Sequence, residues 1–464
     1  METKKPLFSG SDLFKIAFPL ILQQILAVTI GMVDTMMVST AGEASVSGVS
    51  LVNSLDTMLV IAFGALVSGG AVVTAQFLGQ KNRESALESA KQLVYASAAV
   101  AILISVSVII LQDFLLGLLF GDVEPDVMKA AKDYFIFVAI SFPFLAINNA
   151  GGAIYRVMGN STMSMLISVM INILNVCGNA LLIYKFGMGA AGAAISTLFA
   201  RFVGTIVTLA LLRNRKNTVY VDRYLDYRPN FPMIKEILRI GIPNGIENSM
   251  FHLGKLMTQS LISSMSTAAI AANAVAANLA NYQYMPGTAL SNTMVTVVGR
   301  CIGAEEKEQA KRYSRILVGA TYLCLWTVVL ITFFIAKPVI AIYDISDEGA
   351  KIANELIIYH AVCAAVLHPI AFTIASAFRA ASDVKFPLAV SMFSMWTFRV
   401  ALSYVFSLEV VNVFGLFSFP GLGLGPLGVW IAMTVDWVFR AIFFVIRYLS
   451  GKWLTVYKRI GKKA

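Results

Sequence analysis

The chain has 464 residues, 58% of them hydrophobic and only 13% charged, with a mean hydropathy of +0.75. A water-soluble domain is closer to about half apolar and about a quarter charged, so this composition excludes a soluble fold and leaves a polytopic membrane protein. The net charge of +10 does not require a nucleic-acid partner, because Lys and Arg gather in alternate loops, as membrane topology demands.

Twelve apolar segments follow in chain order, at roughly 13–38, 55–77, 92–118, 131–155, 164–184, 190–212, 237–262, 270–299, 314–336, 352–378, 386–412 and 424–449. Each is long enough for a helix of about 20 residues to cross a bilayer. The first follows the basic flank Lys4-Lys5 and is too long for a signal-peptide core, so it reads as an uncleaved span. Loops after even-numbered spans carry Lys81, Arg83 and Lys91, then Arg156, then Arg213, Arg215, Lys216, Arg223 and Arg228. The same parity continues with Lys307, Lys311, Arg312 and Arg315, then Arg379 and Lys385. Loops after odd-numbered spans hold acids instead: Glu43, then Asp122, Glu124 and Asp126, then Asp344, Asp347 and Glu348. With the basic tail from Lys458 to Lys463, this asymmetry predicts a multi-pass protein of an inner (plasma) membrane with both termini in the cytoplasm.

The segments are written twice. Pro19 and Pro243 lie 224 positions apart, as do Gly79 and Gly303; Arg156 and Arg379 lie 223 apart. Three landmarks at one offset indicate a duplication. Six spans per half is an even number, so the two repeats enter the membrane in the same direction. The expected fold is an all-α integral membrane protein of twelve transmembrane helices in two pseudo-symmetric six-helix lobes. The expected boundaries are 1–212 for the first lobe, 213–235 for a cytoplasmic linker with Pro229 and Pro232, and 236–464 for the second lobe with its tail. Two such bundles with a cavity between them are the usual layout of a secondary transporter.

An ionisable group inside a span costs roughly 2.5–3.5 kcal/mol on insertion scales unless it is paired or hydrated, so each asks for a reason. Asp34 lies about 13 Å outward of the middle of the first span, at 1.5 Å per residue. Span five brings Asn175 and Asn179, one turn apart, to the same depth, and span six brings Thr197. A carboxylate, two amide oxygens and a hydroxyl are hard ligands suited to a small cation or a proton. A helix-packing network is the alternative use of the same groups. Glu247 shares a helical face with Lys255, with His252 nearby; either it contacts substrate or protons, or it bridges to Lys255. Asp436 and Arg440 stand at i, i+4, the spacing of an intrahelical pair. Arg201, Arg399, His360 and His368 are isolated in sequence and read as packing residues, and Asp56 reads as the N-cap of span two. Asn278, Tyr282, Gln283 and Tyr284, ahead of Pro286-Gly287, are expected to break span eight. They would form either a ligand-contacting wall or a set of interface-seeking side chains.

Cys177, Cys301, Cys324 and Cys363 have no paired spacing and imply neither disulfide nor metal. No phosphate-binding loop, metalloprotease motif or nucleophile elbow is present, so the expectation is a gradient-driven transporter and not an enzyme. No cofactor is expected beyond a coupling ion.

In this order, the motifs resemble the multidrug and toxic compound extrusion (MATE) family across essentially the whole chain. The carriers are Val33-Asp34-Thr-Met-Met-Val-Ser, Gly79-Gln-Lys, Arg156-Val-Met-Gly-Asn160, Asn175 to Tyr184 and Gly192-Ala-Ala-Ile-Ser-Thr197. The second half adds Gly241-Ile-Pro243, Arg379-Ala-Ala-Ser-Asp383 and Gly451-Lys-Trp453. The resemblance implies two lobes that rock in alternating access, exporting cationic amphipathic compounds in exchange for Na+ or H+. It implies a cation site at Asp34, Asn175, Thr197 and the carbonyl of Ala193. Asn179 stands where many members have a second Asp, which removes a negative charge and leaves the choice between H+ and Na+ open. Members with an acidic second-lobe site place the span-seven Glu about one turn after Glu247 and add a span-ten Asp, where this chain has only His360 and His368. Asp34 is therefore expected to couple, with Glu247 and Lys255 auxiliary. The partners expected are small cationic substrates and the lipid bilayer, around a monomer. The rival function is a flippase for a lipid-linked oligosaccharide, for which Lys255 and Arg399 would hold the anionic head group. Asp34 and Glu247 in the same cavity weigh against it.

Overall fold

In lipid a backbone has to satisfy its own hydrogen bonds, so apolar stretches of this length form helices. The computed structural model describes residues 5–40, 42–121, 123–222, 224, 228–413 and 417–457. Lys4, Asp122, Arg223 and the tail from Lys458 to Lys463 lie outside them. Twelve long helices run through the described residues: α1 (Gly10–Ser39), α2 (Glu43–Gly79), α3 (Arg83–Ile110), α4 (Pro125–Val157), α5 (Ser161–Lys185) and α6 (Gly189–Leu212) make the first six. The second six are α7 (Phe231–Ser263), α8 (Thr267–Gly303), α9 (Lys307–Ile342), α10 (Asp347–Ala380), α11 (Lys385–Ser407) and α12 (Gly425–Leu449). Ten are apolar enough to cross a membrane by composition; α7 and α8 are equally long but more polar.

Several expected boundaries move. Asp56 does not cap a helix: α2 begins at Glu43, which leaves Asp56 in the helix interior. Pro286-Gly287 does not break α8, which runs unbroken to Gly303. Neighbouring helices can absorb a lost hydrogen bond in a membrane, and Pro19, Pro143, Pro243 and Pro338 likewise stand inside continuous helices. Three π-turns occur: Ala180–Lys185 ends α5, while Pro369–Thr373 and Met395–Val400 interrupt α10 and α11. A short hairpin pairs Val410–Val413 with Phe417–Pro420 before α12, an element the hydropathy pattern does not announce.

Two compact units result. The first holds Met1–Gly245 with Gly299–Glu305, and the second Ile246–Val298 with Glu306–Ala464. The first unit packs around Phe63, Phe135 and Phe142, and the second around Leu325, Leu356 and Trp437. The connection after α6 is fastened to α3 in the first unit. Arg83 donates to the carbonyls of Thr218 (3.0 Å) and Asn217 (3.1 Å), Gln92 to that of Arg228 (2.8 Å), and Tyr95 to that of Tyr224. Burial pushes the Tyr224 phenol above its ordinary range, keeping it a donor to the Leu209 carbonyl at 2.7 Å.

Within the first unit the repeat landmarks Gly79 and Gly303 serve one crossing. A Cβ on Gly303 would sit 2.6 Å from the Gln76 carbonyl carbon and 2.7 Å from its Cα, and one on Gly79 would sit 2.9 Å from the Ala304 nitrogen. Only hydrogen fits between these backbones. Gly303→Ala should therefore cost about 1–3 kcal/mol by overpacking. A lowered thermal midpoint of the detergent-purified variant checks this; an unchanged midpoint would show that the crossing yields freely.

Candidate functional site

In the first unit, α1, α5 and α6 bring together all five residues expected at the cation site. Asp34 is half-buried, and the buried Asn179 donates from its amide nitrogen to Asp34 Oδ1. Asn179's own carbonyl oxygen is buried without a hydrogen-bond partner. One turn earlier, Asn175 donates to the Thr197 hydroxyl at 3.0 Å, and Thr197 in turn donates to the Ala193 carbonyl at 3.0 Å. Ser196 fixes the α5 backbone by donating to the Asn175 carbonyl at 2.6 Å. The free donor set is thus the Asp34 carboxylate and the orphaned Asn179 oxygen, both hard oxygens that fit a proton or a small cation.

Sequence reading missed a second polar group in this unit. Asp56 lies 3.7 Å from Arg201, whose other nitrogen donates to Ser141 at 2.7 Å. Arg201 thus has the hydrogen bond expected of it and adds an ion pair that was not expected, and it is close enough to act electrostatically on Asp34 as well. The signal was available: an acid and an arginine buried in spans of the same half are expected to find each other. A polar cavity of about 230 Å³ lies nearby, lined by Gln23, Asn148, Asn172, Arg156 and Arg201 among others.

The second unit does not repeat this chemistry. Glu247 does not bridge to Lys255. It lies 3.6 Å from Arg379 and accepts from Ser391 at 2.9 Å, so its charge is compensated by a residue of α10. Lys255 instead lines a cavity of about 80 Å³ together with Arg399, Thr258, Tyr284, Trp430 and Met433. Asp436 and Arg440 form the intrahelical pair at 2.8 Å, with Arg399 at 3.9 Å from the same carboxylate.

The four residues of the expected α8 wall separate. Tyr284 faces the cavity and Gln283 is buried behind it, whereas Asn278 is exposed and Tyr282 half-buried, and neither lines that cavity. His360, isolated in sequence, is hydrogen-bonded in the fold: its two ring nitrogens contact Tyr284 Oη and Gln283 Oε1, each at 2.6 Å. His368 stacks on Tyr284 and on Phe372, with ring centroids 5.2 and 4.9 Å away.

The family model described as MatE matches the chain over 19–181 and again over 243–405. The chain is 28% identical to the "Uncharacterized transporter YisQ" of Bacillus subtilis (strain 168), across 97% of this chain and 96% of that protein. It is 27% identical to a "Probable multidrug resistance protein NorM" of Thermotoga maritima, across 95% and 92%. Among solved structures, "Crystal structure of MATE in complex with MaD3S" superposes with a TM-score of 0.84 at 20% identity, covering 96% of this chain and 97% of that one. At that identity the likeness concerns the fold.

Proposed function

The chain belongs to the MatE family, and from that premise we propose that it is a secondary active exporter of cationic amphipathic compounds, driven by antiport of H+ or Na+. It works in the inner (plasma) membrane by alternating access. One observation carries the choice of coupling residue. Of the acids Asp34, Asp56, Glu247 and Asp436, the last three each lie within 4.0 Å of an arginine. Among the described residues Asp34 has no such partner, only the Asn179 amide and the more distant charge of Arg201. An acid without a fixed counter-ion is the one whose charge an incoming ion can cancel.

In the outward-open state Asp34 takes up the ion, and the neutralised cluster favours release of a cationic compound. Ion and substrate need not touch; each needs only unequal affinity for the two conformations. Names given to relatives such as the NorM proteins support drug-like substrates.

Purified protein in proteoliposomes loaded with ethidium tests the proposal. An imposed H+ or Na+ gradient should accelerate efflux, and the gradient that does so names the ion. If neither gradient moves ethidium or any other cationic dye, the antiport proposal fails.

A further inference from the structure

The two matched segments are of equal length and start 224 positions apart. At that offset Asp34 falls on Thr258, Asn175 on Arg399 and Asn179 on Ser403. The landmark arginines Arg156 and Arg379 lie one position closer, and the π-turn Met395–Val400 supplies the extra residue that restores the register. Helices α6 and α12 both open on Gly-x-x-Gly, at Gly189 and Gly425, which sets Ala193 on Val429 and Thr197 on Met433. Thr258, Arg399, Val429 and Met433 all line the 80 Å³ cavity of the second unit. The duplication has therefore kept the place and exchanged the chemistry: a hydroxyl stands for the carboxylate, and a guanidinium for an amide.

We infer that this cavity is a polarity-reversed twin of the Asp34 cluster and binds the anionic head of an amphiphilic carboxylate. Lys255, one turn before Thr258, adds a second cation, and no Asp or Glu lines the cavity. Arg399 is only 6% exposed, and its Nη1 has no hydrogen-bond partner. Its nearest carboxylate oxygen, Asp436 Oδ2, stands 3.9 Å away, outside hydrogen-bond reach, while Arg440 holds Oδ1 at 2.8 Å. Arg440 also donates to Ser394 and to the Ser391 carbonyl. Lys255 has no ion pair among the described residues. Buried Arg399, which shares a single carboxylate with Arg440, and half-buried Lys255, which has none, thus face one small space, and an incoming anion supplies the charge they lack. The fork of Arg399 suits a carboxylate.

At about 30 Å³ for each water-sized group, the cavity takes a head group and not a whole molecule. Trp430, Tyr284 and Met433 offer an apolar wall to the remainder. Glu247 no longer argues against an anion, since Arg379 compensates it outside this cavity.

The test is equilibrium binding, with no gradient, so its failure leaves the ion-coupling proposal untouched. The full-length protein in phosphatidylcholine nanodiscs is titrated with 1-pyrenebutyrate and, separately, with a pyrenebutyl-trimethylammonium probe, both read by fluorescence anisotropy. Saturable pyrenebutyrate binding is expected. It should weaken at least about tenfold in Lys255→Met and stay within about threefold in Lys255→Arg, with the cationic probe unaffected. Arg399→Gln, if it folds, should weaken the same probe. Wild type that does not bind pyrenebutyrate, or folded Lys255→Met that binds it equally well, overturns the inference. Adding phosphatidylglycerol distinguishes the source: competition supports the anion site with a lipid head group as its occupant. No competition supports it with a soluble carboxylate.

Discussion

Replacing Asp34 with Asn should abolish gradient-driven efflux, lowering its initial rate by about 100-fold, near the upper end of ordinary coupling energies. The substitution is nearly isosteric, and an Asn at this position still offers an oxygen to the Asn179 amide, so the cluster should stay assembled. Only the titratable charge disappears. An ion then gains nothing by binding the outward state, and a ligand with equal affinity for both states shifts neither. Passive, downhill dye movement should survive. That combination separates a coupling residue from one that merely holds the helices together, because loss of packing would lower both. Full gradient-driven efflux in Asp34→Asn would move the coupling site elsewhere and leave Glu247, already paired with Arg379, as the next acid to test.

The second large effect concerns stability. Asp436 is fully buried, bonded to Arg440 at 2.8 Å and facing Arg399 at 3.9 Å. Asp436→Leu leaves two buried guanidinium groups without a carboxylate, which should cost about 3–5 kcal/mol. For a protein of this size that corresponds to a fall in thermal midpoint on the order of 10 °C, at about 2–4 °C per kcal/mol. Scanning fluorimetry of the detergent-purified variant measures it. Adding Arg440→Met should restore part of the loss, because an apolar pair of similar volume replaces one broken ion pair while Arg399 stays without its carboxylate. If the single variant unfolds within 2 °C of wild type, as an order-of-magnitude margin, Asp436 is not what holds these cations.

Much of the Asp34 cluster was legible because span direction and a 1.5 Å rise fix depth, and depth alone puts Asp34, Asn179, Asn175 and Thr197 at one level. Partners on other helices were harder to see. Glu247 and Lys255 share a face of α7, yet Glu247 turns to Arg379 on α10, a choice set by packing between spans. Asp56 was misread because the hydropathy window opens only near it, whereas α2 continues as a more polar helix back to Glu43. Pro286 misled for the opposite reason: a helix-breaking signal learned in water fails where neighbouring helices hold the backbone. The hairpin from Val410 to Pro420 is short enough to hide between two spans. Arg399, read from sequence as a packing residue, could have been singled out by carrying the 224-residue offset from the landmarks to Asn175.

The strap between α6 and α7 is gripped through its backbone. Arg83, Gln92 and Tyr95 all reach carbonyl oxygens, at Thr218, Asn217, Arg228 and Tyr224, and carbonyls are the same in every residue. Such a grip is blind to side-chain identity, so strap positions other than the buried Val219 and Val221, Tyr220 beneath Arg83 and the donor Tyr224 should drift freely over evolutionary time. Insertions and deletions should not, since each would move those carbonyls off their donors. Where two ancestral copies were joined, the chain has preserved a length and left the wording open.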